Sequence, residues 1–200
     1  VITHPRFRNQ GLQRYLFSKV DEMAEERGID MIVLWSNQLE FYSKLGFELG
    51  GLQGSWFANH RHPLSKERPF VRIENSRAGL LTSQHFAAFD RKSCRVKRTP
   101  EEFERLVRIP KMRVAYTDNA YALMGKGEDF QKVCHEWAGP GEEVLACLDA
   151  LREEEPEVRI LSPGVVHDPD ENQVVEALEK ASFDNRLEYL GLFKIVSERI

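Results

Sequence analysis

The chain has 200 residues, of which 42% are hydrophobic and 30% charged, the composition of a globular protein with one large or two small cores. Its formal net charge of −4 argues against a broad nucleic-acid-binding surface, because binding a phosphate backbone requires clustered, uncompensated lysine and arginine. No apolar run approaches the roughly 20 residues that span a bilayer, and no signal peptide is visible, so no membrane partner is predicted.

The first predicted elements are the end of a strand and an amphipathic helix. The β-branched residues 1–3 suit a strand, and Pro5 ends it because proline has no N–H to donate to a ladder. From Gly11 onward the apolar residues follow helical spacing, at Leu12, Leu16, Val20 and Met23. Gly28 is the predicted end of this helix.

The turn at residues 6–13 is the first candidate for chemistry. The N–H groups at the start of a helix have no internal partner and lie at the positive end of its dipole. Gly11 would let a ligand approach the backbone closely, and Arg6 and Arg8 add positive charge. These features predict a cradle for a phosphate or pyrophosphate. On the local pattern alone, an ordinary strand-to-helix turn with solvated arginines is the open alternative.

A buried strand, a short helix and a further strand are predicted next. Residues 31–35 form a continuous apolar run, as in a strand buried on both faces. Residues 41–45 are predicted to be a short helix that Gly46 ends, before a strand begins at Phe47. This pairing of a basic Arg-x-x-Gly turn with Phe-Tyr-Ser-Lys-Leu-Gly-Phe closely resembles the GNAT superfamily of acyl-CoA-dependent N-acetyltransferases over residues 1–56.

The resemblance implies an α/β fold with a mixed sheet, N-acetyltransferase activity and acetyl-CoA as the acyl donor. Tyr42 falls where many members place the tyrosine that protonates the leaving thiolate, so it is the implied catalytic residue. Gln13 stands where the family prefers glycine or alanine, which implies a weakened but functional loop, because backbone N–H groups do not depend on the side chain. The residues implied to bind acetyl-CoA are Ile2, Thr3, Arg8, Asn9, Gln10, Gly11, Leu12 and Gln13.

The resemblance also implies three strands and one or two helices before Val1, and in many relatives those strands carry the general base. We therefore expect the sequence to lack its natural N-terminal part. The implied acceptor is a small-molecule or peptide amine, which the residues do not identify further, and a homodimer is an open alternative to a monomer.

The segment after the resemblance is less regular. Residues 47–57 contain three glycines and are predicted to form one strand with a bulge or two strands around a turn. Residues 59–77 are polar and basic, which predicts a surface linker, with a binding patch for an acidic partner as the alternative. His60 and His62 have no cysteine or acidic cluster nearby, so no zinc or other metal is predicted. Residues 78–89 have the spacing of a helix.

A second unit is predicted to begin near Cys94. Thr99 and Pro100 open a helix, since threonine is a good N-cap and proline suits the first helical position. An antiparallel meander is predicted at residues 112–116, 120–124 and 130–137. After a glycine turn, the predicted elements are a helix at 142–152, a strand at 158–161, a helix at 172–183 and strands within 187–196.

This order resembles a second GNAT-type unit, but its glycine turn differs from the first. No arginine precedes the turn, and Glu142 and Glu143 follow it, where they would repel a pyrophosphate. We therefore predict tandem units, one active and one degenerate. The predicted boundaries are residues 1–58 for the C-terminal half of a GNAT-like domain, 59–92 for a linker and 93–200 for the degenerate unit.

Two further groups of residues have side chains capable of chemistry. His135 and Glu136 are neighbours on a predicted strand and point to opposite faces, so they cannot serve one site together. The three cysteines, Cys94, Cys134 and Cys147, lack metal-ligand spacing and are predicted to be reduced thiols of a cytoplasmic protein. The predicted function is direct transfer of an acetyl group from acetyl-CoA to an amine. A catalytically inactive tandem module for ligand binding or regulation is the alternative.

Overall fold

A computed structural model describes residues 3–58, 62–67, 69–75, 79–90, 92, 97–128, 130–164 and 166–196, with the side chains of 183–189 excepted. The chain has a mixed α/β fold and divides into two compact units. The first comprises Val1–Gln53 and Glu188–Ile200, and the second Gly54–Leu187. Two strands, β2 (Glu48–Ala58) and β8 (Ser182–Ile195), contain residues of both units. Within the described ranges, no helix has the length and apolarity needed to cross a membrane.

The first unit has helices on one face of a small sheet. After a 3-10 turn (Pro5–Phe7) come α1 (Leu12–Glu26), β1 (Met31–Ser36) and α2 (Leu39–Ser43). Strand β8 lies between β1 and β2, and it is antiparallel to β1 with Met31 opposite Ile195. Phe17, Phe47 and Leu192 are the buried centre of a cluster that α1, α2 and these strands share. The predicted α1 is confirmed, and so is a short helix before Gly46, although it spans Leu39–Ser43 and not the predicted residues 41–45.

The prediction that residues 31–35 are buried on both faces is wrong for the described chain. Burial alternates along β1, and the side chains of Met31 and Trp35 are 50% and 57% exposed. Ile32 and Leu34 pack on the shared cluster because α1 and α2 cover only their face of the strand. The predicted strand at residues 1–3 is not found at Thr3, and Val1 and Ile2 lie outside the described residues.

The second unit has helices on both faces of its strands. Its helices are α3 (Ser83–Asp90), α4 (Pro100–Val107), α5 (Gly141–Glu154) and α6 (Pro169–Ala181). Its remaining strands are β3 (Arg72–Asn75), β4 (Arg113–Tyr116), β5 (Tyr121–Met124), β6 (Val133–Ala138) and β7 (Arg159–Pro163).

The strands of the second unit follow the order β2-β7-β6-β5-β4-β3. Pairing is antiparallel from β3 to β6, whereas β6 and β7 are parallel at Cys134 and Ile160. Side chains alternate between two cores, since Ala115 and Ala122 belong to the core under α5 and α6, and Val114 and Leu123 to the core under α3 and α4. The predicted meander is confirmed.

Two predicted segments of the second unit need correction. The polar segment 59–77 contains strand β3, which the sequence pattern conceals because Ile73 is the only apolar residue in it. The predicted strands within 187–196 are one long strand, β8, that begins directly after α6. The start of α4 is confirmed in detail, because Thr99 and Glu102 form a reciprocal capping box.

Candidate functional site

The turn before α1 combines a short helical turn with left-handed backbone. The His4 imidazole accepts a hydrogen bond from the Arg6 N–H at 3.3 Å and caps the 3-10 turn. Asn9 and Gly11 then adopt positive φ angles of 62° and 74°. Such angles are strained for residues with a Cβ, and glycine adopts them freely. Because no atom lies within 4 Å of the position that a Cβ would take at Gly11, the requirement for glycine is conformational.

The first N–H groups of α1 are not capped by a side chain. Gly11 is the N-cap residue, and its carbonyl accepts the first helical hydrogen bond from the Tyr15 N–H at 3.0 Å. The amides of residues 12–14 precede that bond and have no partner within the helix. The first turn also contains no acidic residue. The positive end of the helix dipole is therefore open to an anion.

Positive side chains surround this helix start. Arg6, Arg8 and Arg14 are exposed, and Arg8 donates from Nε to the Thr3 carbonyl at 3.4 Å. Gln10 holds the turn closed by donating to the Arg6 carbonyl at 3.2 Å. Of the other predicted donor-binding residues, Asn9 and Leu12 are exposed, Gln13 is half-buried, and Ile2 lies outside the described residues. The donor set of backbone amides and guanidinium groups fits a pyrophosphate.

Tyr42 lies in α2, in an aromatic group within the first unit. Its ring meets Phe17, Phe41 and Phe47 edge to face, with centroid distances of 5.7, 5.0 and 5.8 Å. Edge-to-face packing fixes the ring, while the side chain is only half-buried. The Tyr42 hydroxyl has no hydrogen-bond partner in the part of the chain that the structure describes. Its proton is thus available to a ligand.

An ion pair that the sequence does not indicate links α1 to β8 in this unit. Lys194 of β8 pairs with Asp21 of α1 at 2.7 Å, and both side chains are largely buried. The Lys194 stem also lies against Gly46, where a Cβ would stand 3.2 Å from its Cε. The pair joins residues 173 positions apart, so no local pattern could have indicated it.

Solved structures with the same fold include two GCN5-related N-acetyltransferases. The protein from Kribbella flavida is 14% identical, with a TM-score of 0.57 over 98% of this chain and 50% of its own. The protein from Anabaena variabilis is also 14% identical, with a TM-score of 0.60 over 96% of this chain and 53% of its own. This chain therefore spans about half the length of each of these two proteins. A tandem GNAT protein from the clavulanic acid biosynthesis pathway is 15% identical, with a TM-score of 0.58 over all of this chain and 74% of its own.

The sequence carries a family signature in its first quarter. Residues 1–50 match the acetyltransferase (GNAT) domain family, and this range includes the turn before α1 and Tyr42. Over these residues the chain belongs to the GNAT acetyltransferase domain family. No curated protein sequence matches it. The predicted superfamily and its α/β fold are confirmed.

The second strand-to-helix junction, at the start of α5, is closed by side chains of the same unit. The Gly141 N–H at the start of α5 donates to the Asp170 carboxylate at 3.0 Å. A Cβ at Gly141 would lie 2.3 Å from Gln173 Oε1, so the space beside this amide is filled. Glu143 accepts hydrogen bonds from the Thr117 hydroxyl and from the Asn119 amide. Carboxylates thus occupy the positions around α5 that a phosphate would need.

Near the end of β6, one aromatic and two charged side chains, those of Trp137, Lys92 and Glu171, pack together. The Trp137 indole donates to the Leu161 carbonyl at 2.8 Å. The Lys92 ammonium lies 3.8 Å from the centroid of the Trp137 ring and pairs with Glu171 at 3.0 Å. Burial lowers the pKa of Lys92, and the carboxylate of Glu171 acts in the opposite direction. These residues belong to no sequence motif, so no local pattern indicates them.

His135 and Glu136 lie on opposite faces of β6, as predicted, and each has a structural partner. The His135 ring contacts the Gly125 carbonyl at 2.9 Å, and burial lowers the pKa of its imidazole. Glu136 accepts from the Tyr121 hydroxyl at 3.0 Å and from Arg98 at 2.8 Å. Among the described residues, no group of three or more histidine, cysteine and carboxylate side chains is placed to hold a metal ion.

Proposed function

We propose that this protein is an N-acetyltransferase that binds acetyl-CoA at the turn before α1 and passes the acetyl group directly to an amine. The observation that carries the proposal is the uncapped start of α1 behind Gly11. There the backbone amides face no competing side chain and no acidic residue of the first turn. Membership of a superfamily of acyltransferases supports the same reaction class.

Each residue of the turn has a role in holding the donor. The amides of residues 12–14 donate to the pyrophosphate oxygens, and Gly11 gives the left-handed backbone that aims them. Arg8 adds a charge-assisted contact from the rim. Thr3, Asn9 and Gln10 shape the turn through its backbone. Gln13 replaces the small residue that the family prefers, which weakens this cradle without removing its amides.

Tyr42 supplies the proton in this proposal. Acetyl-CoA, when bound, brings a thioester whose sulfur must be protonated as it leaves. The Tyr42 hydroxyl would hold that proton, and the rings of Phe17 and Phe47 keep the hydroxyl at a fixed position. Positioned acids of this kind contribute about 10²- to 10⁴-fold to a rate.

We assign a single donor site to the chain and propose a tandem arrangement in which the second unit is degenerate. Near the start of α5, Asp170 accepts the hydrogen bond from the Gly141 N–H that a phosphate would accept, and Glu143 adds a second negative charge there. The likeness over the full chain to a tandem GNAT protein supports this arrangement. The boundaries at residues 58 and 92 remain a prediction.

The acceptor in this proposal is a small-molecule or peptide amine, and the protein acts in the cytoplasm. Support for the compartment comes from Cys134 and Cys147, which are free thiols buried in the second unit. Burial raises the pKa of the Cys134 thiol to about 12, so it stays protonated and unreactive.

Calorimetric titration with acetyl-CoA tests the donor site. Wild type should bind one equivalent, and Arg8→Ala should weaken binding about five- to tenfold. Arg27→Ala, which removes the same charge at the far end of α1, is the matched control and should leave the affinity unchanged. Absence of binding would refute the proposal. Binding without turnover on a panel of amines would instead support the inactive-module alternative.

A further inference from the structure

A cavity of about 340 Å³ opens on the second unit, beside the junction at Gly141, and Glu142 and Gln173 of that junction line it. It lies between the start of α5, the C-terminal half of α6 and residues 62–66. Its volume falls within the range of about 300–1,000 Å³ that small-molecule sites occupy. Nothing in the proposed acetyl transfer uses this cavity.

The wall formed by residues 62–66 is held in place from α5. The Asp149 carboxylate accepts hydrogen bonds from the backbone N–H groups of Leu64 and Ser65, at 2.8 and 3.0 Å. Arg152 donates to the His62 carbonyl at 3.1 Å. The Glu142 carboxylate accepts from the Lys66 N–H at 3.1 Å. A wall fixed in this way does not have to be ordered by the ligand, which removes one cost of binding.

Apolar side chains line one part of the cavity, and polar and charged side chains line the rest. Leu145 on α5 is buried, and Leu64 of the pinned wall is buried beside it. Ala177 and Ala181 on α6 complete the floor with small side chains that leave room above them. An apolar group of a ligand would therefore lose its contact with water here.

The polar groups at the mouth differ in what they still offer. Glu142 Oε1 accepts from Gln173 at 2.7 Å, and Glu176 Oε1 accepts from Asn172 at 2.7 Å. The Lys66 ammonium has no partner in the described part of the chain, and the Lys180 ammonium is 3.8 Å from Glu176. The two acids balance the two lysines in charge, and at least one oxygen of each acid already accepts a hydrogen bond from the protein. The Lys66 ammonium, in contrast, keeps all of its donor capacity within the described part of the chain.

We propose that this cavity binds a small organic carboxylate with an apolar body, its carboxylate at Lys66 and its hydrocarbon part over Ala177. The apolar floor selects the body, and the unpartnered ammonium selects an acceptor that is ionised at neutral pH. The site is separate from the proposed donor site, and its test does not involve acetyl-CoA.

The test uses 3-phenylpropionate and its neutral analogue 3-phenylpropanol as probes of the full chain, followed by amide chemical shifts. We expect chemical-shift changes confined to residues 62–66, 142–145 and 173–181, which line the cavity, and tighter binding of the carboxylate than of the alcohol. Lys66→Met should weaken binding of the carboxylate about two- to fivefold, which is the size of an exposed charge interaction. It should leave the affinity for the alcohol unchanged. Ala177→Phe should abolish binding of both by filling the floor.

Lys132→Met is the matched control, because Lys132 pairs with Glu157 and does not line the cavity. It should leave both affinities unchanged. Equal binding of acid and alcohol, equal losses in the two lysine variants, or shifts outside the named residues would each overturn the proposal. Should Ala177→Phe fail to fold, the comparison of the lysine variants decides the question alone.

Discussion

The rings of Phe17 and Tyr42 meet edge to face, with centroids 5.7 Å apart and planes 84° apart. Phe17 is on α1 and is 7% exposed, so the tyrosine of α2 is packed directly on the helix whose start forms the candidate donor site. Phe17 lies six residues after Gly11, which is roughly 9 Å along the helix axis. The same helix thus presents its amides to a ligand and fixes the ring of the proposed acid.

The contact leads to a prediction for Tyr42→Phe. Phenylalanine keeps the ring contacts with Phe17 and Phe47, so folding and acetyl-CoA affinity should change little. Turnover should fall by about 10²-fold or more, because the proton for the leaving sulfur is lost. Steady-state kinetics together with calorimetry measure both quantities. Tyr15→Phe, at an exposed tyrosine of α1, is the control and should retain full turnover. Loss of donor binding in Tyr42→Phe would assign the tyrosine to packing.

The two ends of α1 offer a matched pair of glycine substitutions. Gly11 and Gly28 have φ angles of 74° and 64°, and both have open space where a Cβ would stand. Changing either to alanine should therefore cost a similar conformational strain, about 1 kcal/mol in the free energy of unfolding. Chemical denaturation measures this cost. Only Gly11→Ala should weaken the binding of acetyl-CoA. A similar loss of affinity in Gly28→Ala would argue against a donor site at residues 8–13.

Asp170→Ala tests the closed junction of the second unit. The variant removes the acceptor of the Gly141 N–H, and we expect a loss of about 1–2 kcal/mol in the free energy of unfolding. Acetyl-CoA should still bind with one equivalent per chain, because Glu142 and Glu143 remain in the first turn of α5. Denaturant unfolding and calorimetry check the two expectations. A second equivalent in the wild-type chain would contradict the single donor site.

His85 makes stability depend on pH. Its ring is 1% exposed, accepts from the Thr82 N–H at 2.9 Å and contacts the Thr117 carbonyl at 2.9 Å, which fits the neutral imidazole. Burial lowers the pKa of His85 below its ordinary value of 6.5, although the hydrogen bond to Thr117 acts in the opposite direction. The unfolded chain therefore binds the proton more readily, so stability should fall as pH drops below about 6.5.

Thermal unfolding between pH 5 and 8 measures this effect. His85→Gln should be less stable than wild type at pH 7.5, by about 1–3 kcal/mol for the lost buried hydrogen bonds. Its stability should also change less with pH than that of wild type. His62→Gln, at an exposed histidine, is the control. A wild-type melting temperature that rises on acidification would contradict the assignment.

Much of the fold could be read from residues close together in the chain. The helical spacing of apolar residues predicted α1, and Gly11 and Gly28 predicted where it begins and ends. Both predictions succeed because a helix is built from hydrogen bonds between residues a few positions apart. The capping box of Thr99 and Glu102 is local in the same sense. Strand β3 was missed because a polar edge strand becomes recognisable only through its pairing with β4.

By itself, the sequence determined the GNAT resemblance of residues 1–50, the glycine turn before α1 and the tyrosine of α2, since motif and periodicity are local properties. Only the tertiary structure decided which helix starts are open. Asp170 closes α5 from 29 positions away, and Lys194 reaches Asp21 from 173 positions away. Such pairs depend on the folding of distant segments against each other, because hydrogen bonds and ion pairs act over a few ångströms of space and not over a fixed number of residues.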